Sequence, residues 1–444
     1  MTSISIKSLQ RVDKLLGPAA CCALQPLRLV RERAIESPAK KVLAIKFWGI
    51  GSLQMLTPAI ATLRRRHPFA EITLLTLAGN RDFAERLAIF DRVMTLDVAG
   101  IGWFRIGARI VRLLRELRAQ DFDVVYDFEF FTRFSAVVAI ATGAPRRHGF
   151  ASPSVWRGSF HTEEHPYNRY WHVARNFRVL AGGENGLNVI SEDLKPLSFN
   201  ERDEARAFAA LARRGLRTDE PYCVLNVNAG ELSLERRWPP GQFVELAQRF
   251  ITVDQWQVVL IGSAPERAYT DGVAARVANS RCSSVAGELR AGELAAVFAH
   301  AAVVVSNDSG PMHIAAALDV PTVGLFGPET PVMYAPIGLR TRALYRPPAC
   351  SPCINVHENK VASCIWGEPQ CLVGISVQDV HDAARSLVSG VDFEAAPISR
   401  IEQRDVAAQR DVSRQVGSNA QRPALQQRPA PDSNDTRRPQ DPKN

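Results

Sequence analysis

Short apolar runs of buried-strand type occur at residues 42–45, 72–75, 93–96 and 124–126. Between and after them lie stretches with apolar residues every three or four positions, at 53–63, 106–117 and 134–141, which predict helices. The pattern restarts past Arg217-Thr218-Asp219-Glu220-Pro221, with strands at 223–227, 258–261 and 301–305 and helices at 242–250, 292–299 and 314–318. A closing helix is predicted at 377–387. Strands that alternate with helices imply parallel sheets covered by helices, and the restart implies two such units. The stretch 148–170 shows no period and reads as a polar, aromatic connection. Beyond about residue 395 the chain is rich in Gln, Arg, Asp and Pro, too polar to bury a core, and is expected to be disordered. The expected organisation is a basic arm (1–40), an amino-terminal domain (41–200), a connector (201–220), a carboxyl-terminal domain (221–390) and a tail (391–444).

A length of 444 residues with 46% hydrophobic content supports two full cores. The formal net charge of +8 suits a nucleic acid, a membrane surface or a phosphorylated substrate. No basic run is interleaved with aromatic residues, so nucleic acid is not an expected partner. No apolar run of the roughly 20 residues needed to span a bilayer is present. In the arm, Ile6, Leu9, Val12 and Leu15 recur at helical spacing among Lys7, Arg11 and Lys14. Such a helix either lies on an anionic membrane surface or packs on the amino-terminal domain. The apolar run 15–24 faintly suggests a signal peptide, but Gln25-Pro26-Leu27-Arg28 is a poor cleavage context.

The chemistry concentrates in Ser306-Asn307-Asp308-Ser309-Gly310-Pro311-Met312-His313, between an apolar strand and a helix. Gly310 permits a tight turn or close approach, and Pro311 suits a first helical turn, where its missing N–H costs nothing. The turn offers an anion site for a phosphate or pyrophosphate; alternatively Asp308 or Ser309 is simply an N-cap. Leu234-Glu235-Arg236-Arg237-Trp238-Pro239 lies on a second loop, and Lys46-Phe47-Trp48-Gly49-Ile50-Gly51-Ser52 on a third.

Ser306, Asp308, Ser309, Gly310, His313, Ala315 and Ala316, followed by Phe326-Gly327-Pro328-Glu329-Thr330-Pro331, match S-x-D-T/S-G-x-x-H, then A-A, then F-G-P-x-x-P. In this the chain resembles glycosyltransferase family 9, the heptosyltransferases of lipopolysaccharide assembly, with weaker similarity from about residue 41 to 387. The resemblance implies an α/β fold of GT-B type, two Rossmann-like domains facing a cleft. It implies an inverting glycosyltransferase that moves a sugar, such as heptose from ADP-heptose, to a lipid-linked or polysaccharide acceptor of the cell envelope. It places the enzyme in the cytoplasm, peripheral to the inner membrane. Asp308, Ser309, Gly310 and His313, with Arg236 and Arg237 of the family's K/R-x-W-P element, would bind the donor. Lys46, Gly49 and Gly51 would face the acceptor.

One position departs from the pattern. The family loop reads G-D and its Asp is the proposed base, whereas this chain has Gly51-Ser52, and a serine hydroxyl is a poor base near neutral pH. Asp127 and Glu129, past the strand 124–126, are candidate substitute bases, both pointing to the cleft if alternation continues; alternatively each is a capping or salt-bridged acid. Without a base the fold would serve as a sugar-nucleotide-binding protein; a sugar-nucleotide epimerase is a third reading. No cofactor is required by the resemblance. Cys350-x2-Cys353 with Cys364 and Cys371 suggests a structural zinc, although the second pair is spaced too widely for the usual motif; reduced thiols or a local disulfide are the alternatives.

Overall fold

The computed structural model describes residues 6–29, 38–98, 102–130, 132–151, 155–182, 194–230, 233–354 and 363–390. The expected tail beyond residue 391 lies outside them. Two six-stranded sheets form, each entirely parallel in its pairings. The first is built from β1 (Lys41–Ile45), β2 (Glu71–Leu77), β3 (Arg92–Leu96), β4 (Val124–Asp127), β5 (Arg146–Ala151) and β6 (Glu163–Pro166), in the order β3-β2-β1-β4-β5-β6. The second comprises β7 (Tyr222–Asn226), β8 (Gln257–Ile261), β9 (Cys282–Ser284), β10 (Val303–Asn307), β11 (Thr322–Phe326) and β12 (Thr341–Tyr345), in the order β12-β11-β10-β7-β8-β9. Counted from its own first strand, the second repeats the order of the first. Both have the doubly wound arrangement in which strand order reverses beside the first strand, and such sheets bind ligands outside the carboxyl ends at that reversal. The reversals fall between β1 and β4 and between β7 and β10.

The helices are α1 (Ile6–Ala23), α2 (Ile50–Arg66), α3 (Arg81–Leu87), α4 (Trp103–Gln120), α5 (Arg133–Ala141), α6 (Val173–Leu180), α7 (Glu201–Arg213), α8 (Pro240–Thr252), α9 (Arg267–Val277), α10 (Ala291–Ala299), α11 (Gly310–Ala317), α12 (Pro331–Tyr334), α13 (Gln370–Val373) and α14 (Val377–Ser389). Central strands β7, β8, β10 and β11 are buried along their whole length, which is why they read as continuous apolar runs. Strands β5 and β6 escape that reading: β5 is Arg-Arg-His-Gly-Phe-Ala and β6 is Glu-Glu-His-Pro. Their polar residues pair with one another and with buried partners, so no apolar period marks them.

The arm helix α1 packs on the amino-terminal half. Asp13 accepts bonds from the Thr132 hydroxyl (2.9 Å) and from the backbone N–H groups of Arg133 (3.0 Å) and Phe134 (2.8 Å), so it caps α5 from another helix. Cys21 is buried with Ala136, Ile140 and Phe160. Of the two placements open to the arm, packing is observed, and Leu15 and Leu16 remain exposed at 75% and 63%. No helix among the described residues is long and apolar enough to cross a membrane.

Candidate active site

A cavity of about 900 Å³ opens at the carboxyl ends of both sheets. Its lining includes Trp48–Ser52 after β1, Asn226 at the end of β7 with Asn228, Ala229 and Gly230 beyond it, Gly262 and Ser263 after β8, and Asp308–Pro311 after β10. The loops after β7 and β10 flank the second reversal of strand order, and the loop after β1 flanks the first.

Two helices direct their amino-terminal ends into this cavity. Neither is capped by a side chain: the cap position of α2 is Gly49, and Ser309, at the cap position of α11, makes no capping bond. The Ser309 hydroxyl instead accepts from the Asn226 amide (2.6 Å) and donates to the Asn307 carbonyl (3.2 Å). The expectation of a simple N-cap at Asp308 or Ser309 is therefore not met; Pro311 has no N–H and the Met312 N–H bonds the Ser309 carbonyl (3.2 Å), so the Gly310 N–H is the first-turn donor left for an anion. The two helix ends nearly touch. A Cβ on Gly51 would lie 2.9 Å from the Gly310 Cα and 3.0 Å from the His313 Cδ2, and one on Gly310 would lie 2.6 Å from the Ile50 Cγ1. Glycine is required at both positions for close backbone approach, while Gly49 adopts a φ of +81°, open to few other residues.

Arg236 stands on the same wall. Its guanidinium donates to the Asp308 carbonyl (2.8 Å), to the Asp308 carboxylate (3.3 Å) and to the Ala229 carbonyl (2.5 Å). Three bonds fix its orientation, and since guanidinium has five donors, others remain for a ligand. Arg237 does not line the cavity; it stacks on Tyr269 at 4.0 Å and donates to the Asn228 side chain. Trp238 is fully buried, its backbone N–H bound by Asn307 and its indole N–H by the Ile375 carbonyl, so it anchors the loop that carries Arg236. His313 is buried at 3% exposure and reaches the cavity wall, as does Ser52.

The proposed substitute bases are not on this surface. Asp127 is fully buried, held by Arg157, by His161 at 3.1 Å and by the Ser135 hydroxyl at 2.9 Å. Burial alone would raise its pKa, but Arg157 and His161 outweigh that and hold the carboxyl below the usual range. Glu129 is fully buried and accepts from the Lys46 ammonium (2.8 Å) and from the N–H groups of Phe47 (2.6 Å) and Trp48 (3.0 Å). Neither acid nor Lys46 lines the cavity. Of the two readings open to these acids the salt-bridged one is observed, and the expectation that they and Lys46 face the cleft is corrected: their charges are matched inside the amino-terminal half, where Glu129 clamps the loop that leads to Gly49. The carboxylates that do line the cavity are Asp82, Glu266, Asp308 and Glu329. Asp82 belongs to α3, a two-turn helix, and it accepts from the Arg86 side chain (2.9 Å) and from the Ala291 N–H (3.2 Å) of the other half.

The late cysteines carry free thiols, with Cys350 and Cys353 exposed and Cys371 buried. Burial raises the Cys371 thiol to about 11. Among the described residues the only group of three ligand-type side chains with donor atoms within 4.8 Å of one another is His148, Glu163 and His165; of the readings open to the late cysteines, a four-thiolate zinc site is not assembled among them.

The family model for glycosyltransferase family 9 (heptosyltransferase) matches residues 110–362, more than half of the chain. The chain belongs to glycosyltransferase family 9. It is a glycosyltransferase, and the fold and family expected from the Ser306–Pro331 motif are borne out. Lipopolysaccharide heptosyltransferase 2 of Salmonella typhimurium is 26% identical over 360 residues, 79% of this chain and 99% of the relative. Its counterpart in Escherichia coli is 26% identical over 354 residues, 78% of this chain and 98% of the relative. Among solved structures, Escherichia coli ADP-heptose lipopolysaccharide heptosyltransferase II superposes with a TM-score of 0.61 at 23% identity, covering 79% of this chain and 99% of its own. A family 9 glycosyltransferase from Veillonella parvula gives 0.65 at 21%, covering 80% and 99%. At these identities the superpositions speak to the fold.

Proposed function

We propose that this family 9 enzyme transfers heptose from ADP-heptose to a lipopolysaccharide or other cell-envelope glycan acceptor, with inversion. The observation that carries the reading is the meeting of Arg236 and the uncapped Ser309–Gly310 turn with the Trp48–Ser52 loop across one cavity. In the proposed complex the diphosphate rests on the first turn of α11 and on the free donors of Arg236. Negative charge grows on that diphosphate as the bond to the sugar breaks, and fixed N–H donors stabilise it most at that moment. Asp308, already engaged by Arg236, is left to accept from a sugar or ribose hydroxyl. His313, one turn into α11, contacts the donor from the same side.

The acceptor lies against the amino-terminal wall, residues 41–200 serving it as residues 221–390 serve the donor. Its hydroxyl oxygen bonds to the anomeric carbon, the bond to the diphosphate oxygen breaks, and the hydroxyl proton passes to a carboxylate. Asp82 is the carboxylate that the amino-terminal half contributes to the lining, and we assign it that role; Ser52 orients the acceptor. The exposed Leu15 and Leu16, with Arg11 and Lys14 beside them, hold the enzyme to the cytoplasmic face of the inner membrane. No step is assigned to a metal.

The test is incubation of the full chain with ADP-heptose and envelope glycolipid, read by mass. Heptosylated glycolipid with release of ADP is expected. Donor binding without any transfer would overturn the reading in favour of a sugar-nucleotide-binding protein. In the same assay Asp82→Asn is expected to lower kcat about 100-fold or more, and Ser52→Ala less than about tenfold.

A further inference from the structure

Strands β5 and β6, at one edge of the first sheet, bring three ligand-type side chains together. His148 stands opposite Glu163 in the register, and alternation along β6 puts Glu163 and His165 on one face. The His148 Nδ1 lies 3.4 Å from the His165 Nε2 and 3.4 Å from the Glu163 Oε2. That spacing is long for a hydrogen bond, whose usual length is about 2.9–3.0 Å. It is the edge expected of a tetrahedral zinc site, where ligands at about 2.0–2.1 Å from the ion stand about 3.4 Å from each other.

The cluster is also built to hold its shape. The His148 ring is buried and stacks on Tyr126 at 4.5 Å with an interplanar angle of 6°. Arg66, Arg146 and His67 face the cluster and oppose a cation there, while the Glu163 carboxylate supplies the compensating charge. None of the three side chains lines the cavity that Arg236 and Gly310 share.

We propose that His148, Glu163 and His165 form a zinc site separate from the sugar-nucleotide cavity, with two imidazoles and one carboxylate as protein ligands and the fourth position open to water. Two nitrogens and one oxygen favour Zn²⁺ over Mg²⁺ or Ca²⁺. The Glu163 side chain is 51% exposed, so the ion has an entry path. Its effect would be to tie the four-residue edge strand β6 to β5.

The full chain, stripped with a chelator and dialysed against Zn²⁺, should hold one zinc equivalent more than His165→Ala or Glu163→Gln, as read by mass spectrometry of the metal. Zinc should raise the melting temperature of the wild type, and these variants should lose that rise or need about 100-fold more zinc for it. His148→Gln removes a stacked buried ring and risks the fold; Glu163→Gln changes a half-exposed side chain and keeps the test clean. Substitution with Co²⁺ separates this site from the cysteines, because imidazole and carboxylate ligation lacks thiolate charge-transfer bands. Equal zinc content and equal thermal response in wild type, Glu163→Gln and His165→Ala would overturn the proposal. So would a cobalt spectrum that is entirely thiolate. Sugar transfer should be unaffected by Glu163→Gln, so this result is independent of the donor and acceptor assignments.

Discussion

The two halves share one strand order but use charge in opposite ways. In the carboxyl-terminal half the ends of β7 and β10 carry Asn226, Ser306 and Asn307, neutral groups bonded to each other and to the backbone. That network leaves the Ser309–Gly310 turn uncapped and brings Arg236 to the cavity wall. In the amino-terminal half the charged groups near the ends of β1 and β4 turn inward, Lys46 to Glu129 and Asp127 to Arg157 and His161. What remains on its cavity surface after β1 is Trp48, Gly49, Ile50, Gly51 and Ser52. One half presents fixed polar donors to a ligand; the other stabilises a loop from behind and, after β1, presents an uncharged stretch, its one carboxylate on the lining, Asp82, coming from α3. A strand-end carboxylate can thus serve the fold on one sheet while its counterpart serves the site on the other.

The largest expected effect breaks the inward pairs. Asp127→Asn or Glu129→Gln leaves Arg157 or Lys46 buried without its anion and should cost about 3–5 kcal/mol, seen as a fall in the denaturation midpoint. If either substitution instead left stability unchanged and abolished turnover alone, the contrast between the halves would fail. Next is Arg236→Ala, expected to lower kcat/KM about 100- to 1000-fold with the fold intact, while Arg237→Ala changes it by less than about tenfold. A third effect comes from acid. Burial lowers the pKa of His172 to about 4, and its ring bonds the Ala335 carbonyl across the halves at 3.0 Å. The ring is neutral in the fold but gains a proton in the unfolded chain below about 6.5, so this contribution is complete above that pH and is lost as pH falls towards 4. Its size is on the order of 3 kcal/mol, and His172→Gln should flatten that part of the stability profile. The smallest is Gly51→Ala, whose Cβ would press on the Gly310 backbone; about 1–3 kcal/mol of stability and weaker donor binding are expected.

The carboxyl-terminal site was legible because its determinants are local. Ser306 to His313 is a single strand–turn–helix, and Arg236-Arg237-Trp238-Pro239 is one loop, so spacing alone put them on a sheet edge. Which of the two arginines faces the cavity was not legible, since stacking on Tyr269 decides it from 32 positions away. The inward turn of Asp127 was hidden for the same reason: Arg157 and His161 lie in a stretch with no apolar period. Strands β5 and β6 were missed because His148, Glu163 and His165 give them a polar pattern, and α3, with Asp82, because two helical turns are too short to show a period.

Calorimetric titration of the full chain with ADP tests the central claim most directly. One site is expected in the wild type, with affinity retained in Arg237→Ala and Ser52→Ala and reduced at least about tenfold in Arg236→Ala. Equal ADP affinity in Arg236→Ala and wild type would contradict the assignment of the α11 corner to the departing diphosphate.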